Sequence, residues 1–166
     1  MGFEIERKFL LRGEGWRNLV SDKIVIRQAY LASNGKSSIR VRVRNDQDAT
    51  LTVKSKPMSL RRLELEYKVP LLEAEAMMQL RQGAVIEKLR HIVPWDDLKW
   101  EIDVFFGENA GLVIAEIELR DPAQRFRMPD WIGEEVTGVP DYYNSSLVTR
   151  PYGTWPEQPA DAELTA

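Results

Sequence analysis

The feature that most constrains this chain is a two-residue alternation in which one parity is ionised and the other apolar. In GFEIERKFLL, residues 2–11, Glu4, Glu6 and Lys8 share one parity while Phe3, Ile5 and Phe9 take the other. Successive side chains of a strand point to opposite faces, so this segment reads as a strand with one charged and one apolar face. The pattern recurs near 23–31, 37–45, 49–56, 61–69, 84–93, 98–106 and 112–120. Asn34-Gly35, Asn45-Asp46, Pro57, Pro94 and the stretch from Gly107 to Gly111 supply turn chemistry between the segments. A helical period over 71–82 predicts an amphipathic helix stopped by Gly83, and shorter helical pieces are expected at 122–127, 130–135 and 141–149. About eight strands and few helices in one domain, residues 1–150, follow from this pattern. The remaining 151–166 ends in PEQPADAELTA, which has no apolar period and reads as a flexible tail.

An antiparallel sheet with one wet face alternates in the same way, and for a single strand that explanation suffices. The joint pattern asks for more. Arg40, Arg42 and Arg44 stand at i, i+2, i+4, followed by Lys54, then Arg62 with Glu64 and Glu66, Lys88 with Arg90, Glu101 with Asp103, and Glu116 with Glu118. Only 23–31 is less charged, with Gln28 and Tyr30 on one parity. Like charges repeated along one face repel, so three arginines in IRVRVR need an anion or facing carboxylates. A polyphosphate needs several Arg and Lys donors. Its hydrolysis also needs a hard divalent cation, Mg²⁺ or Mn²⁺, for which Glu4/Glu6, Glu64/Glu66 and Glu116/Glu118 are the expected oxygen ligands.

Other chemistries fail on inventory. There is no cysteine, which excludes disulfides and thiolate metal sites and fits a cytoplasmic protein. The single histidine, His91, lies on the parity opposite Lys88 and Arg90 and reads as a surface or packing residue. Neither common glycine-rich phosphate loop is present. Charge from Glu4 onward offers no signal-peptide core, and no run of about 18 apolar residues appears, so no helix is expected to span a membrane. A net charge of −3 and the many carboxylates facing IRVRVR argue against nucleic acid as the partner. A twofold homodimer through an outer face stays open.

With these residues in view, the chain resembles the CYTH superfamily, the triphosphate tunnel metalloenzymes. Glu-x-Glu-x-Lys, here EIERK, is the family signature, and RVR, LTVKS, RLELE, EKLR, EIDVF and AEIEL follow in order at similar spacing. The closing WIGEEVTGVPDYYNSSL is similar to the C-terminal segment of the short bacterial members, so the resemblance covers about residues 3–149. It implies an eight-stranded antiparallel closed β-barrel, with a few helices packed outside and the charged parity lining a tunnel. By motif it places Lys8, Arg42, Arg44, Lys54, Arg62, Lys88 and Arg90 on the phosphates, with Arg40 an addition to the usual arginine pair. Glu4, Glu6, Glu64, Glu116 and Glu118 fall at acidic positions serving the metals, and Asp103 is a weaker candidate for that role. In the short members a tyrosine of a QxYL strand pairs with the lysine of a TxKS strand, which matches Tyr30 and Lys54. Lys54, Tyr30 and Glu6 are therefore the expected catalytic residues. The implied activity is metal-dependent hydrolysis of a triphosphate, inorganic tripolyphosphate first. Thiamine triphosphatase or class IV-type adenylate cyclase activity are alternatives in the same tunnel, and a polyphosphate-binding sensor is the non-enzymatic one.

Overall fold

The first strand meets the fifth, and that contact turns a sheet into a barrel. The computed structural model describes residues 2–56 and 61–156. Strands β1 (Gly2–Leu11), β2 (Asp22–Ser33), β3 (Ser37–Arg44), β4 (Asp48–Ser55), β5 (Arg61–Val69), β6 (Gln82–Trp95), β7 (Leu98–Phe105) and β8 (Val113–Glu118) lie in the order β5-β4-β3-β2-β6-β7-β8-β1. Antiparallel pairing of Gly2 through Ile5 with Glu64 through Arg61 closes the ring and leaves only the part of β1 beyond Ile5 open on that side. The expected closed eight-stranded antiparallel barrel is the architecture found, with one added strand. That strand, β9 (Ile132–Glu135), pairs with the end of β1, on the side that β5 leaves after Ile5.

Closure puts the charged parity inside and the apolar parity outside, where it must be covered. Helix α1 (Leu71–Met78) buries Ala74 and Met78 against Ala29, Val41, Val43 and Ala49. Arg27 pins the helix from outside by pairing with both Glu75 and Asp46. On the opposite side Ile5, Phe9, Ile102 and Ile117 lie beneath Trp16, Trp100 and Trp131, with the last two rings edge-to-face at 5.7 Å. His91 is buried in this region against Trp16, its Nδ1 3.2 Å from the Ile102 carbonyl, so of the two expected roles, surface or packing, it has the packing one.

At one end of the barrel the inward parity itself becomes apolar. Leu10, Tyr30, Ile86, Phe105 and Ile114 cluster there with Leu112, Val136, Tyr142, Leu147, Val148 and Tyr152. The segment after β9, including the short helix α2 (Asn144–Leu147), thus closes that end of the tunnel. Gly83 permits the seat: with φ +69° it passes under Val148, whose carbonyl oxygen would lie 2.3 Å from any added Cβ.

Several local expectations change. Residues 132–135 form a strand and not a helix, because β1 offers them a free edge, and Gly133 allows the close approach to Leu10 and Leu11. No helix forms over 122–127, where Asp121 instead organises a turn by accepting the Ala123 amide. Helix α1 ends at Met78, and Gly83 belongs to β6, which runs on through Pro94. Residues 151–155 are packed: Tyr152 is buried and Trp155 stacks edge-on against Tyr142 and Tyr152 at 5.2 and 5.0 Å. The turn at Pro57 and the tail 157–166 lie outside the described residues.

Candidate active site

Inside the barrel lies one cavity of about 260 Å³, lined by all eight barrel strands except β8's apolar end and by residues 137–138 and 143–145. Its basic wall is built on β3. Alternation aims Arg40, Arg42 and Arg44 inward, and their neighbours on β4 and β2 are mostly neutral: Thr52 and Thr50 on one side, Tyr30, Gln28 and Ile26 on the other. Arg42 donates from Nε to Gln28 Oε1 at 2.8 Å, and Arg40 donates from Nη2 to Thr52 Oγ1 at 3.4 Å. The Arg40 Nε is buried with no hydrogen-bond partner. Neither Arg40 nor Arg42 has a carboxylate partner among the described residues. Burial, reinforced by Arg40, Arg90 and Arg44, holds the Arg42 guanidinium well below its ordinary value. Such a group lacks negative charge around it.

Lys88, Arg90, Lys8 and Lys54 are braced by carboxylates. Lys88 places Nζ 2.7 Å from Asp103 Oδ2 and 2.9 Å from Asn144 Oδ1. Burial brings its ammonium down to about 7; Asp103 resists this, while Arg90 and Arg42 add to it. Arg90 grips Asp103 through Nε and Nη2 at 2.8 and 2.9 Å and also pairs with Glu101. Burial opposes the Arg90 charge, but those carboxylates and Glu116 outweigh it and raise its value. Lys8 lies 3.5 Å from Glu116 and donates to the Tyr142 carbonyl at 3.2 Å. Burial works against the Lys8 charge too, and Glu116 and Glu6 win, so it rises. Lys54 lies 2.9 Å from Glu4 and 3.8 Å from Glu64.

The acidic wall is the counterpart. In the register of β1 with β8, Glu6 stands directly opposite Glu118, and between β7 and β8 Glu101 stands opposite Glu116. Like charges facing across a ladder destabilise a sheet unless a cation intervenes. Glu118 registers the strain: partial burial first, then Glu4, Glu6 and Glu101, push its carboxyl above the usual range. Among the described residues no three carboxylates converge into a preformed ligand set. The donor chemistry nonetheless fits a hard divalent cation, since oxygen ligands that crowd one another are relieved by it.

The sequence-derived candidates Glu4, Glu6, Lys8, Tyr30, Arg40, Arg42, Arg44, Lys54, Arg62, Glu64, Lys88, Arg90, Glu116 and Glu118 all line this cavity. Asp103 does not: it lies behind the lining, neutralised by Lys88 and Arg90. Tyr30 and Lys54 share the cavity without a hydrogen bond between them. Tyr30 sits opposite Arg40 whereas Lys54 sits opposite Ser38 and Glu64, which turns its ammonium toward the acids. Glu66 and Glu101, which the charged parity marks, line it too; the lining also includes Ser38 and Thr52, which parity alone could have found, and Thr137, Tyr143, Asn144 and Ser145, for which no periodic signal exists.

A closed antiparallel barrel whose interior juxtaposes unpaired guanidiniums and crowded carboxylates defines a triphosphate tunnel protein. The chain belongs to the CYTH domain family, whose profile matches residues 2–152. It is similar to an inorganic triphosphatase of Acetivibrio thermocellus, with 47% identity over 158 residues, 95% of this chain and 100% of the relative. An inorganic triphosphatase of Nitrosomonas europaea is 34% identical over 148 residues, 87% of this chain and 95% of the relative. Among solved structures, an inorganic triphosphatase superposes with a TM-score of 0.61 at 31% identity, covering 89% of this chain and 95% of that one. A Hippeastrum protein, described as a putative adenylyl cyclase with dominant triphosphatase activity, shares the fold at 13% identity. Its TM-score is 0.58, and the match covers 72% of this chain and 80% of that one. As triphosphate tunnel metalloenzymes, members of this family depend on a divalent metal. Among the described residues no helix is long and apolar enough to cross a membrane.

Proposed function

We propose that this chain is an inorganic triphosphatase of the cytoplasm that hydrolyses tripolyphosphate with Mg²⁺ or Mn²⁺. The observation that carries the reading is the pair of buried guanidiniums, Arg40 and Arg42, which lack a carboxylate partner in the same cavity where glutamates face one another. The first feature calls for a strong anion and the second for a cation. An anion sensor gains nothing from crowded carboxylates, which favours catalysis over binding alone.

Arg40, Arg42 and Arg44 take phosphate oxygens from one side, and Lys8, Arg62, Lys88 and Arg90 from around the cavity, so that several donors orient the chain. Lys54 supports charge on the departing phosphate, and Tyr30 lines the same cavity beside Arg40. Glu4, Glu6 and Glu118, assisted by Glu64 and Glu116, are the residues that would hold the metal. Once bound, it supplies neutralisation of phosphate charge and a more acidic water. Water adds to the terminal phosphorus, the anhydride P–O bond breaks, and orthophosphate and diphosphate leave.

Phosphate release from tripolyphosphate, thiamine triphosphate and ATP, each with Mg²⁺, Mn²⁺ or EDTA, tests this reading. Tripolyphosphate should be preferred and EDTA should abolish turnover. Full turnover in EDTA removes the metal assignment, cyclic nucleotide from ATP makes the chain a cyclase, and tight binding without turnover makes it a sensor.

A further inference from the structure

One acceptor atom, Asn144 Oδ1, lies at the closed end of the cavity and receives two buried donors. Gln28 Nε2 and Lys88 Nζ each reach it at 2.9 Å. Gln28 in turn accepts from Arg42 Nε at 2.8 Å. The chain Arg42–Gln28–Asn144–Lys88 therefore ties two cations, from β3 and β6, to a residue of the C-terminal segment. Gln28 is fully buried at 0% exposure and Lys88 nearly so at 1%, so water does not substitute for these bonds. Asn144 lies more than 50 residues along the chain from Lys88 and more than 100 from Gln28, as the separations of 56 and 116 record. Neither α2 nor its neighbours need an asparagine for local structure: α2 starts after Tyr143 without a side-chain cap.

We propose that Asn144 is a positioning residue of the triphosphate site, through which the C-terminal segment sets the orientation of Lys88 and Arg42. The inference rests on the phosphate-binding reading of those two cations. An ammonium has three donors; Asp103 and Asn144 take two, which leaves the third to point into the cavity that Lys88 lines. On Gln28 the amide orientation is set by the same atom: its NH₂ goes to Asn144, so its oxygen faces Arg42, which aims the rest of the guanidinium fork at the cavity. The choice of a neutral acceptor is chemically specific. A carboxylate at this position would make the same two bonds but would cancel positive charge that Asp103 already half-balances, and the site would hold an anion less well.

Three variants separate positioning from packing. Asn144→Ala removes the acceptor, Asn144→Asp keeps it and adds charge, and Val148→Ala loosens the same segment on its apolar side, away from the cavity. Calorimetric binding of tripolyphosphate in EDTA is the first readout, with kcat, KM and melting temperature alongside. Asn144→Ala should weaken binding on the order of tenfold or more, as expected when charge-assisted hydrogen bonds lose their geometry. Asn144→Asp should also weaken it, despite its intact acceptor. Val148→Ala should lower the melting temperature with binding near that of the parent. Parent-like binding by Asn144→Ala, at any melting temperature, overturns the inference, as does equal weakening by Val148→Ala. If the parent binds tripolyphosphate but does not turn it over when Mg²⁺ or Mn²⁺ is supplied, the hydrolase reading fails while this binding comparison still decides the role of Asn144.

Discussion

Lys88 and Asp103 meet at 2.7 Å with both side chains only 1% exposed, and Arg90 clamps the same carboxylate from the other side. Burial alone would keep the Asp103 proton on, but Arg90 and Lys88 outweigh it and hold the carboxyl far below its usual range. Asp103 is thus a shared counter-ion of two cations that line the cavity. Removing one partner of such a group leaves buried charge uncompensated. Asp103→Ala should cost roughly 3–5 kcal/mol in chemical denaturation. Unchanged stability with a lost metal affinity would return Asp103 to the ligand set.

Glu6 faces Glu118 across the β1–β8 ladder. Glu6→Gln relieves that repulsion, so the metal-free protein should melt no lower than the parent. Turnover should fall by at least about tenfold under the proposal that Glu6 holds the metal, since a ligand matters no less than the outer partners of a metal site. Thermal melts in EDTA and kinetics in Mg²⁺ check both halves. A sharp loss of stability with normal turnover would make this strand face structural.

Glu118 carries a raised carboxyl, so the native state keeps a proton that the unfolded chain has already lost. Its favourable contribution is complete below the ordinary carboxylate value and disappears as pH climbs through the raised one. Glu118→Gln cannot lose that contribution. In EDTA its melting temperature should therefore gain on the parent's as pH rises from about 4 toward neutrality. Saturating Mg²⁺ should shrink the gap. A constant difference across the range would mean that the carboxylates do not crowd one another in solution.

Lys54→Ala and Val41→Ala lie on opposite parities of adjacent strands and should fail in different ways. Val41 is fully buried beneath α1, and its truncation should cost roughly 1–3 kcal/mol with kinetics per folded molecule intact. Lys54 lines the cavity, and its loss should lower turnover while leaving the fold in place. Normal kinetics for Lys54→Ala, with residue 54 freely labelled from solvent, would invert the parity. Tyr30→Phe should alter rate or substrate preference without altering metal dependence, and no change in either would leave the Tyr30 hydroxyl without a role in turnover.

Gly83→Ala tests how the closed end is held. The left-handed backbone alone costs about 1–2 kcal/mol, and the new Cβ would collide with the Val148 carbonyl. Denaturation should show at least that loss, with protection from proteolysis falling first in residues 140–155. Parent-like stability would mean that the segment sits elsewhere.

The charged face of each strand and the strand segments were legible in the chain because each strand encodes its own two-residue period, while the inward turn of that face was legible only through likeness to a family. Arg40, Arg42 and Arg44 announce a face without reference to any other residue. Closure was legible only through likeness to a family, since no local period states that Gly2 will pair with Glu64. Three assignments depended entirely on tertiary structure. Residues 132–135 became a strand because β1 presented an open edge. Asp103 lies behind the lining because two cations arrive there to neutralise it. Asn144 entered the site because an apolar plug, Leu147 with Val148 and Tyr152, holds its segment in the end of the barrel. In each case the deciding partner is distant in sequence, so the free energy that selects the conformation belongs to a contact that exists only after the chain has closed on itself.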